Sequence, residues 1–315
     1  MNPHLSKQVI NLRPGSLIYG HWHKQRYKVI SLLGKGAIGS VYLCERSDGK
    51  RVALKISDKS ASITTEVNVL KQLNKVQGTL LGPSLFDVDD FVLSNGIRYS
   101  FYVMEYVKGI PVSAFLKKRS KDWLGVFLLQ VLSDLDRLHQ QGWVFGDLKL
   151  DNVLVTDMPP RVRWIDVGGT TQIGRSIKEY TEFYDRGYWQ LGTRKAEPSY
   201  DLFAVVMLAL HYAYPNQFDR GKNPEQTLNE KLRQATVLQP YRVCLERALR
   251  GHYQTSAQML NDLNRILIKR QTTPMFRHQS ITNKQVAGDT VLPLIETSVI
   301  GVSSALFFLV YYFFI

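Results

Sequence analysis

Asp147, Lys149 and Asn152 stand within one short stretch, Val144-Phe145-Gly146-Asp147-Leu148-Lys149-Leu150-Asp151-Asn152, which runs into the apolar Val153-Leu154-Val155. These three side-chain types together suit phosphoryl transfer. A carboxylate orients or accepts the proton of an attacking hydroxyl, an ammonium offsets charge on the moving phosphoryl group, and an amide oxygen helps hold a metal ion. Fourteen residues beyond Asn152, Trp164-Ile165-Asp166-Val167-Gly168 is an apolar entry to an Asp-x-Gly turn, a source for a second metal ligand.

Elements upstream are patterned to serve such a site. Tyr27 to Leu33 alternates as a strand and leads into Gly34-Lys35-Gly36-Ala37-Ile38-Gly39, whose G-x-G-x-x-G spacing lets backbone amides approach phosphate oxygens. A dinucleotide-binding turn would open a helix here. Instead Val41-Tyr42-Leu43-Cys44 continues as a strand, and Ser47-Asp48-Gly49-Lys50 reads as a hairpin turn. The next strand, Arg51 to Ile56, carries Lys55 on an apolar ribbon, a costly place for an ammonium without an anionic partner. Ser62 to Leu73 has helical spacing and holds Glu66, eleven residues after Lys55 and a candidate for that partner. Two strands around an Asn95-Gly96 turn follow, the second ending in Met104-Glu105-Tyr106-Val107.

The second half reads as helices. Trp123 to Gln140 is amphipathic and stops at Gly142. Asp201 to Leu210 is almost wholly apolar, as in a helix buried all round. Further helices are expected near 224–235, 237–250 and 256–270. Between Gly168 and Asp201 lies a segment bearing the hydroxyls Thr170, Thr171, Ser176, Tyr180 and Thr181. Thr297 to Ile315 is nineteen residues without a charge, long enough to cross a bilayer. Lys269, Arg270, Arg277 and Lys284 precede it, which puts the bulk of the chain on the cytoplasmic side. The 315 residues carry 40 Lys+Arg against 27 Asp+Glu, a formal +13 that favours anionic partners. Cys44 and Cys244, in separate parts of the chain, form neither a zinc motif nor a disulfide framework.

Taken in order from about Tyr27 to Arg270, these motifs resemble the Hanks-type bacterial Ser/Thr protein kinases. The short tail resembles a membrane-tethered kinase type of spore-forming bacilli, associated with sporulation and with activation by DNA. The resemblance implies an α+β, bilobal kinase fold with a β-rich N-lobe, a mainly helical C-lobe and one C-terminal transmembrane helix. The corresponding boundaries are a basic leader (1–25), N-lobe (26–107), C-lobe (108–270), juxtamembrane linker (271–296) and anchor (297–315), with no outer domain expected. It implies ATP and Mg2+ as cofactors, protein substrates, and a single-pass protein of the cell membrane. Asp147 would be the catalytic base and Lys149 its phosphoryl-steadying partner, with Asn152 and Asp166 on metal. Gly34, Gly36, Gly39, Val41, Ala53, Lys55, Glu66, Met104 (as gatekeeper) and Leu154 would surround ATP, with the backbones of Glu105 and Val107 at the adenine edge. Asp201 would brace the catalytic loop.

Three departures matter. Phe145-Gly146 stands where the family has His-Arg, so a phosphate on the activation segment lacks its usual arginine and its hydroxyls are expected to matter less. Val167 replaces the usual Phe, giving with Phe145 and Leu70 an expected stack made only of hydrophobes. No Ala-Pro-Glu is present: Ala196-Glu197-Pro198 lies too close to Asp201, and Asp185 is the candidate stand-in. A membrane-anchored pseudokinase scaffold is the non-enzymatic alternative, weakened by the presence of Lys55, Asp147, Asn152 and Asp166. A small-molecule phosphotransferase of the aminoglycoside-kinase type also uses Gly-Asp before x-x-x-x-Asn, but Lys149 is a protein-kinase habit. From Arg242 to Lys284, eight basic residues meet only Glu246 and Asp262. Arg265, Lys269 and Arg270 cluster on one helix face, a candidate surface for anionic lipid or for non-specific DNA binding.

Overall fold

The computed structural model describes residues 10–272 except 37 and 76–80. Its first part is a six-stranded antiparallel sheet. The strands are β1 (Leu17–Tyr19), β2 (Arg26–Lys35), β3 (Ser40–Arg46), β4 (Arg51–Ser57), β5 (Leu85–Val92) and β6 (Arg98–Glu105), in the spatial order β1-β2-β3-β4-β6-β5. Helix α1 (Ser60–Leu73) follows β4. Alternation divides the residues of the ladder between two faces. Tyr42, Cys44, Val52, Leu54, Ile56, Phe101 and Val103 turn to one side, where Ile10 and Leu12 cover them. The other side carries Lys55, with Val41 and Tyr102 directly opposite it on the neighbouring strands, and Ala53 opposite Met104. Part of the leader is built into the sheet: Leu17–Tyr19 pairs with β2, and the Tyr42 hydroxyl is held by Ile10 and Leu12 backbone.

The second part is mainly helical. A short β7 (Ile110–Pro111) and α2 (Val112–Lys117) lead to α3 (Trp123–Gln140). Small strands follow: β8 (Trp143–Val144), β9 (Val153–Thr156), β10 (Arg161–Trp164) and β11 (Thr171–Gln172). Then come α4 (Pro198–Ala213), α5 (Pro224–Gln234), α6 (Arg242–Leu249) and α7 (Ser256–Thr272). Every residue of α4 from Tyr200 to Leu210 is buried, so this helix forms the axis of the lobe. Asn223 caps α5 by accepting from the Gln226 N–H, with Pro224 at the first turn. The helix expected over 237–250 divides: Thr236–Tyr241 is a 3-10 turn containing Pro240, and only Arg242–Leu249 is α-helical. Proline lacks the N–H that a continuous helix would need there.

The lobes are joined by a fork. Arg163 on β10 places Nη2 2.9 Å from Glu105 Oε2 and Nη1 3.3 Å from Oε1, at the end of β6. Cys44 and Cys244 are free and buried in opposite lobes, and burial pushes their thiols up to about 12 and about 11. Among the described residues no helix is long and apolar enough to cross a membrane. Thr297 to Ile315 and the linker before it lie outside the described residues.

Candidate active site

Asp201, at the start of the buried axis, fixes the backbone ahead of Asp147. Its carboxylate accepts from the Phe145 N–H at 2.7 Å and the Gly146 N–H at 3.0 Å. It also lies 2.8 Å from His139 Nε2, while His139 Nδ1 lies 2.8 Å from Ser256 Oγ. A fully buried carboxylate requires donors, so Nε2 carries a proton toward Asp201, and Nδ1 shares a hydrogen bond with the Ser256 hydroxyl. The bracing role expected of Asp201 is thus present, extended through His139 to α7.

On this base Asp147 meets three groups. Lys149 Nζ lies 2.7 Å from Oδ2, and Thr181 Oγ1 donates to Oδ1 at 2.9 Å. Lys149 also donates to Thr181 Oγ1 at 3.0 Å, closing a triangle. Asn152 Nδ2 donates to the Asp147 carbonyl at 2.9 Å, which leaves its Oδ1 as the acceptor available to a cation. Thr181 carried no special signal in the sequence beyond being one hydroxyl in a run of them. The structure places its hydroxyl against Asp147 and Lys149, a contact that the run of hydroxyls did not foretell. Thr170, another of that run, is buried.

The Asp-x-Gly turn is stitched to this loop. The Ile165 N–H donates to the Asn152 carbonyl at 3.0 Å, and Gly168 N–H to Asp166 Oδ1 at 3.0 Å. Glycines allow the close approach. Gly146 has φ +81°, and a Cβ there would collide with the Gly169 carbonyl oxygen. A Cβ on Gly169 would fall 2.8 Å from Asp147 Cβ. The missing arginine before Asp147 therefore has a steric reason: the position is left-handed and pressed against the Asp-x-Gly turn. Phe145 packs edge-on against Trp164, ring centroids 4.6 Å apart. Val167, Leu70 and Leu73 meet around Gly82. Phe145 thus has Trp164 as a neighbour that sequence reading missed, while Val167 and Leu70 meet at Gly82 with Leu73.

In the N-lobe, Lys55 Nζ lies 2.6 Å from Glu66 Oε2 and 3.7 Å from Asp166 Oδ1. Burial works against the Lys55 ammonium, yet Asp166 and Glu66 outweigh it and raise its pKa. The short link between Lys55 and Glu66 does not prevent the pair, because α1 begins at Ser60 and puts Glu66 on its buried face. In the glycine loop, Gly36 N–H donates to the Gly39 carbonyl at 2.9 Å. A Cβ on Gly39 would strike the Ile56 carbonyl oxygen, whereas one on Gly34 would meet nothing within 4 Å. Gly39 thus packs the loop on β4, while the space beside Gly34 is open. Val41, Ala53 and Met104 share the Lys55 face by register. Leu154 on β9 sits beneath Gly109, and Val107 is buried. The Glu105 N–H goes to the Ser84 carbonyl and its carboxylate to Arg163, so its side chain serves the lobe fork. Glu179 is an unforeseen neighbour: Glu179 Oε2 and Asp166 Oδ1 both lie within 3.4 Å of a Cβ built on Gly168.

The segment after Thr181 is anchored without Ala-Pro-Glu. Asp185 is fully buried and accepts from Gly187 N–H, Tyr188 N–H, Tyr200 Oη and Arg194 Nε, all between 2.8 and 3.1 Å. Glu197 pairs with Arg186 at 2.6 Å. Asp185 thus ties the segment to α4 through Tyr200. On α7, Arg265 faces Asp262 at 3.7 Å, and Arg270 reaches Asp122 at 3.1 Å. Their charge is partly offset, by Asp262 within the counted stretch and by Asp122 from outside it. Arg270 also brings the end of α7 beside Lys117-Lys118-Arg119-Ser120-Lys121, a second basic run.

A carboxylate triangulated by an ammonium and a hydroxyl, a second acid and an amide beside it, and a lysine–glutamate pair under a glycine loop define a metal-dependent phosphotransferase of two lobes. A family model described as protein kinase domain matches residues 27–281, and the chain belongs to the protein kinase family. It is 50% identical over 264 residues to the serine/threonine-protein kinase YabT of Bacillus subtilis, covering 84% of this chain and 78% of that protein. It is 24% identical over 280 residues to the probable serine/threonine-protein kinase YbdM of the same bacterium, covering 84% and 97%. Among solved structures, vaccinia related kinase 3 superposes with a TM-score of 0.60 at 16% identity, covering 84% of this chain and 94% of that one. The Mycobacterium tuberculosis PknI kinase domain gives 0.57 at 19%, covering 82% and 99%. The chain is a protein serine/threonine kinase of the Hanks type, and its family implies ATP and a divalent metal.

Proposed function

We propose that this kinase transfers the γ-phosphoryl group of ATP, with Mg2+, to serine or threonine hydroxyls of protein substrates at the cytoplasmic face of the cell membrane. The observation that carries this reading is the Asp147–Lys149–Thr181 triangle beside Asn152, with the Lys55–Glu66 pair already formed. Asp147 accepts or orients the substrate hydroxyl proton. Lys149 offsets charge on the transferring group. Lys55, positioned by Glu66, binds ATP phosphates under the Gly34–Gly39 loop, and Val41, Ala53, Met104, Val107 and Leu154 enclose the base. Asn152 and Asp166 offer the oxygens that suit Mg2+, which would supply neutralisation of phosphate charge. A pseudokinase would need none of these groups in register. Magnesium-dependent transfer of label from ATP to a protein, abolished in Asp147→Asn, tests the reading. Unchanged transfer in that variant overturns it.

The enzyme is of the non-RD type, with Gly146 in place of the arginine, and its activity does not wait on an activation-segment phosphate. Thr297 to Ile315 forms a single-pass anchor, supported by nineteen residues without a charge and the basic residues before them. Removing them should release an active kinase; sedimentation with membranes in high salt after the deletion would refute the anchor. The basic residues of α7 together with Lys117, Lys118, Arg119 and Lys121 form a surface for phosphates, of non-specifically bound DNA or of anionic lipid headgroups. A DNA-responsive kinase of sporulating cells is the reading the resemblance supports. Titration of the anchor-free protein with unrelated duplexes, and with anionic vesicles, at two salt concentrations separates the two ligands. DNA affinity should fall steeply with salt. Failure to bind either, or no loss in the Arg265→Glu, Lys269→Glu, Arg270→Glu triple variant, overturns this part.

A further inference from the structure

The ion pair between Lys55 and Glu66 has a third member. The Tyr102 hydroxyl donates to Glu66 Oε2 at 2.7 Å, the same oxygen that receives Lys55 Nζ at 2.6 Å. Tyr102 is two residues before Met104 on β6 and stands directly opposite Lys55 in the β4–β6 ladder. Their side chains therefore project from the sheet together toward α1. All three are buried: Lys55 is 6% exposed, Glu66 1% and Tyr102 2%. Glu66 Oε1 has no hydrogen-bond partner in this buried setting, so the carboxylate is held entirely through Oε2.

A buried carboxylate supported at one oxygen depends on each donor there, because a lost donor leaves charge that water cannot reach. Lys55 alone is a mobile anchor: its stem is flexible, and Asp166 at 3.7 Å competes for its charge. Tyr102 differs, since its ring lies in a strand and turns on only two torsions. It pins Glu66, and with it α1, to the sheet independently of any ligand. For α1 to swing away, a tyrosine hydroxyl would have to be left unpaired in the interior as well as the ion pair broken.

We propose that Tyr102 is a positioning residue for phosphate binding, acting through Glu66 to hold Lys55 in place and to keep α1 docked in the nucleotide-free protein. The proposal rests on the phosphotransfer reading of the same site. It gives a physical reason why an enzyme without the arginine before Asp147 need not be switched on by moving α1: the docked state is built into the sheet.

The test is Tyr102→Phe, which removes one oxygen and keeps the ring. Its matched control is Tyr42→Phe, which removes a hydroxyl bonded to Ile10 and Leu12 on the opposite face of the same sheet. Tyr102→Phe should lower kcat/KM for ATP roughly tenfold, as expected for a hydrogen bond to a charged group. In a Glu66→Ala background the same change should cost less than about twofold, because the partner is gone. In the nucleotide-free protein, amide exchange across Ser60–Leu73 should quicken roughly tenfold in Tyr102→Phe and remain at the wild-type rate in Tyr42→Phe. Wild-type kcat/KM in Tyr102→Phe, an equal loss in the Glu66→Ala background, or unchanged exchange in α1 would each overturn the proposal. A silent Tyr102→Phe alongside a dead Asp147→Asn would leave the phosphotransfer reading standing and remove only this one.

Discussion

Replacing Thr181 by Val removes the hydroxyl that joins Asp147 to Lys149 while keeping the shape of the side chain. In the wild type that oxygen donates to Asp147 Oδ1 at 2.9 Å and accepts from Lys149 Nζ at 3.0 Å. Hydrogen bonds to charged groups contribute about 1.5–3 kcal/mol each. The Asp147 and Lys149 side chains are 15% and 23% exposed, so solvent recovers part of that and the lower figure applies. One bond lost at about 1.5 kcal/mol corresponds to roughly tenfold in rate, and both to roughly a hundredfold. The expected result is a fall of kcat between those limits. KM for ATP should change little, because Lys55 and Glu66 are untouched. Thr181→Ser, which restores the hydroxyl, should recover activity to within about threefold of wild type. The assay is initial-rate transfer of labelled phosphate to a protein substrate at saturating ATP, with thermal unfolding as the folding control. Activity of Thr181→Val within twofold of wild type would refute the reasoning. So would a Thr181→Ser variant as weak as Thr181→Val, or activation by Thr181→Glu, which would mark the residue as a phosphate acceptor.

Other consequences follow from the same geometry. Gly146→Ala should destabilise the kinase by at least about 1–2 kcal/mol, since φ +81° is left-handed and its Cβ meets the Gly169 carbonyl; a melting temperature unchanged by the substitution would contradict this. Lys55→Ala should reduce phosphotransfer by more than a hundredfold with the fold retained, the scale of removing one preorganised electrostatic group, and activity within tenfold of wild type would remove Lys55 from the site. For the lobe fork, burial pushes the Glu105 carboxyl up, but Arg163 and the Ser84 N–H outweigh it and hold its pKa below the ordinary value. A lowered folded-state pKa contributes stability that is present above the unfolded value, about pH 4.3, and is lost as pH falls through the folded value. The melting-temperature gap between wild type and Glu105→Gln should therefore be constant from pH 7 to about pH 5 and shrink below it; a gap that widens on acidification would refute the pairing.

Much of the site was legible in the sequence because it depends on local spacing. Asp147, Lys149 and Asn152 lie in one loop, Asp166 in one turn, and the glycines in one hairpin, so their register survives without knowledge of the rest of the fold. Periodicity likewise located α1, α3 and the all-round burial of α4. What the sequence could not give were meetings between residues far apart in the chain. Thr181 reaches Asp147 across 34 positions, Tyr102 reaches Glu66 across 36, and Ser256 reaches His139 across 117. Each is an ordinary polar residue until folding puts a charged or buried partner beside it. Steric facts were hidden in the same way. Gly146 read as a missing arginine, and only the carbonyl of Gly169 pressed against it shows why no side chain fits. The basic count around α7 likewise included Asp262 but not Asp122, which reaches Arg270 from more than a hundred residues away. The sequence by itself determined which groups could do phosphoryl transfer, since that is a matter of chemical type and near spacing. Tertiary structure decided which other groups hold them there, because hydrogen bonds and excluded volume act through space and not along the chain.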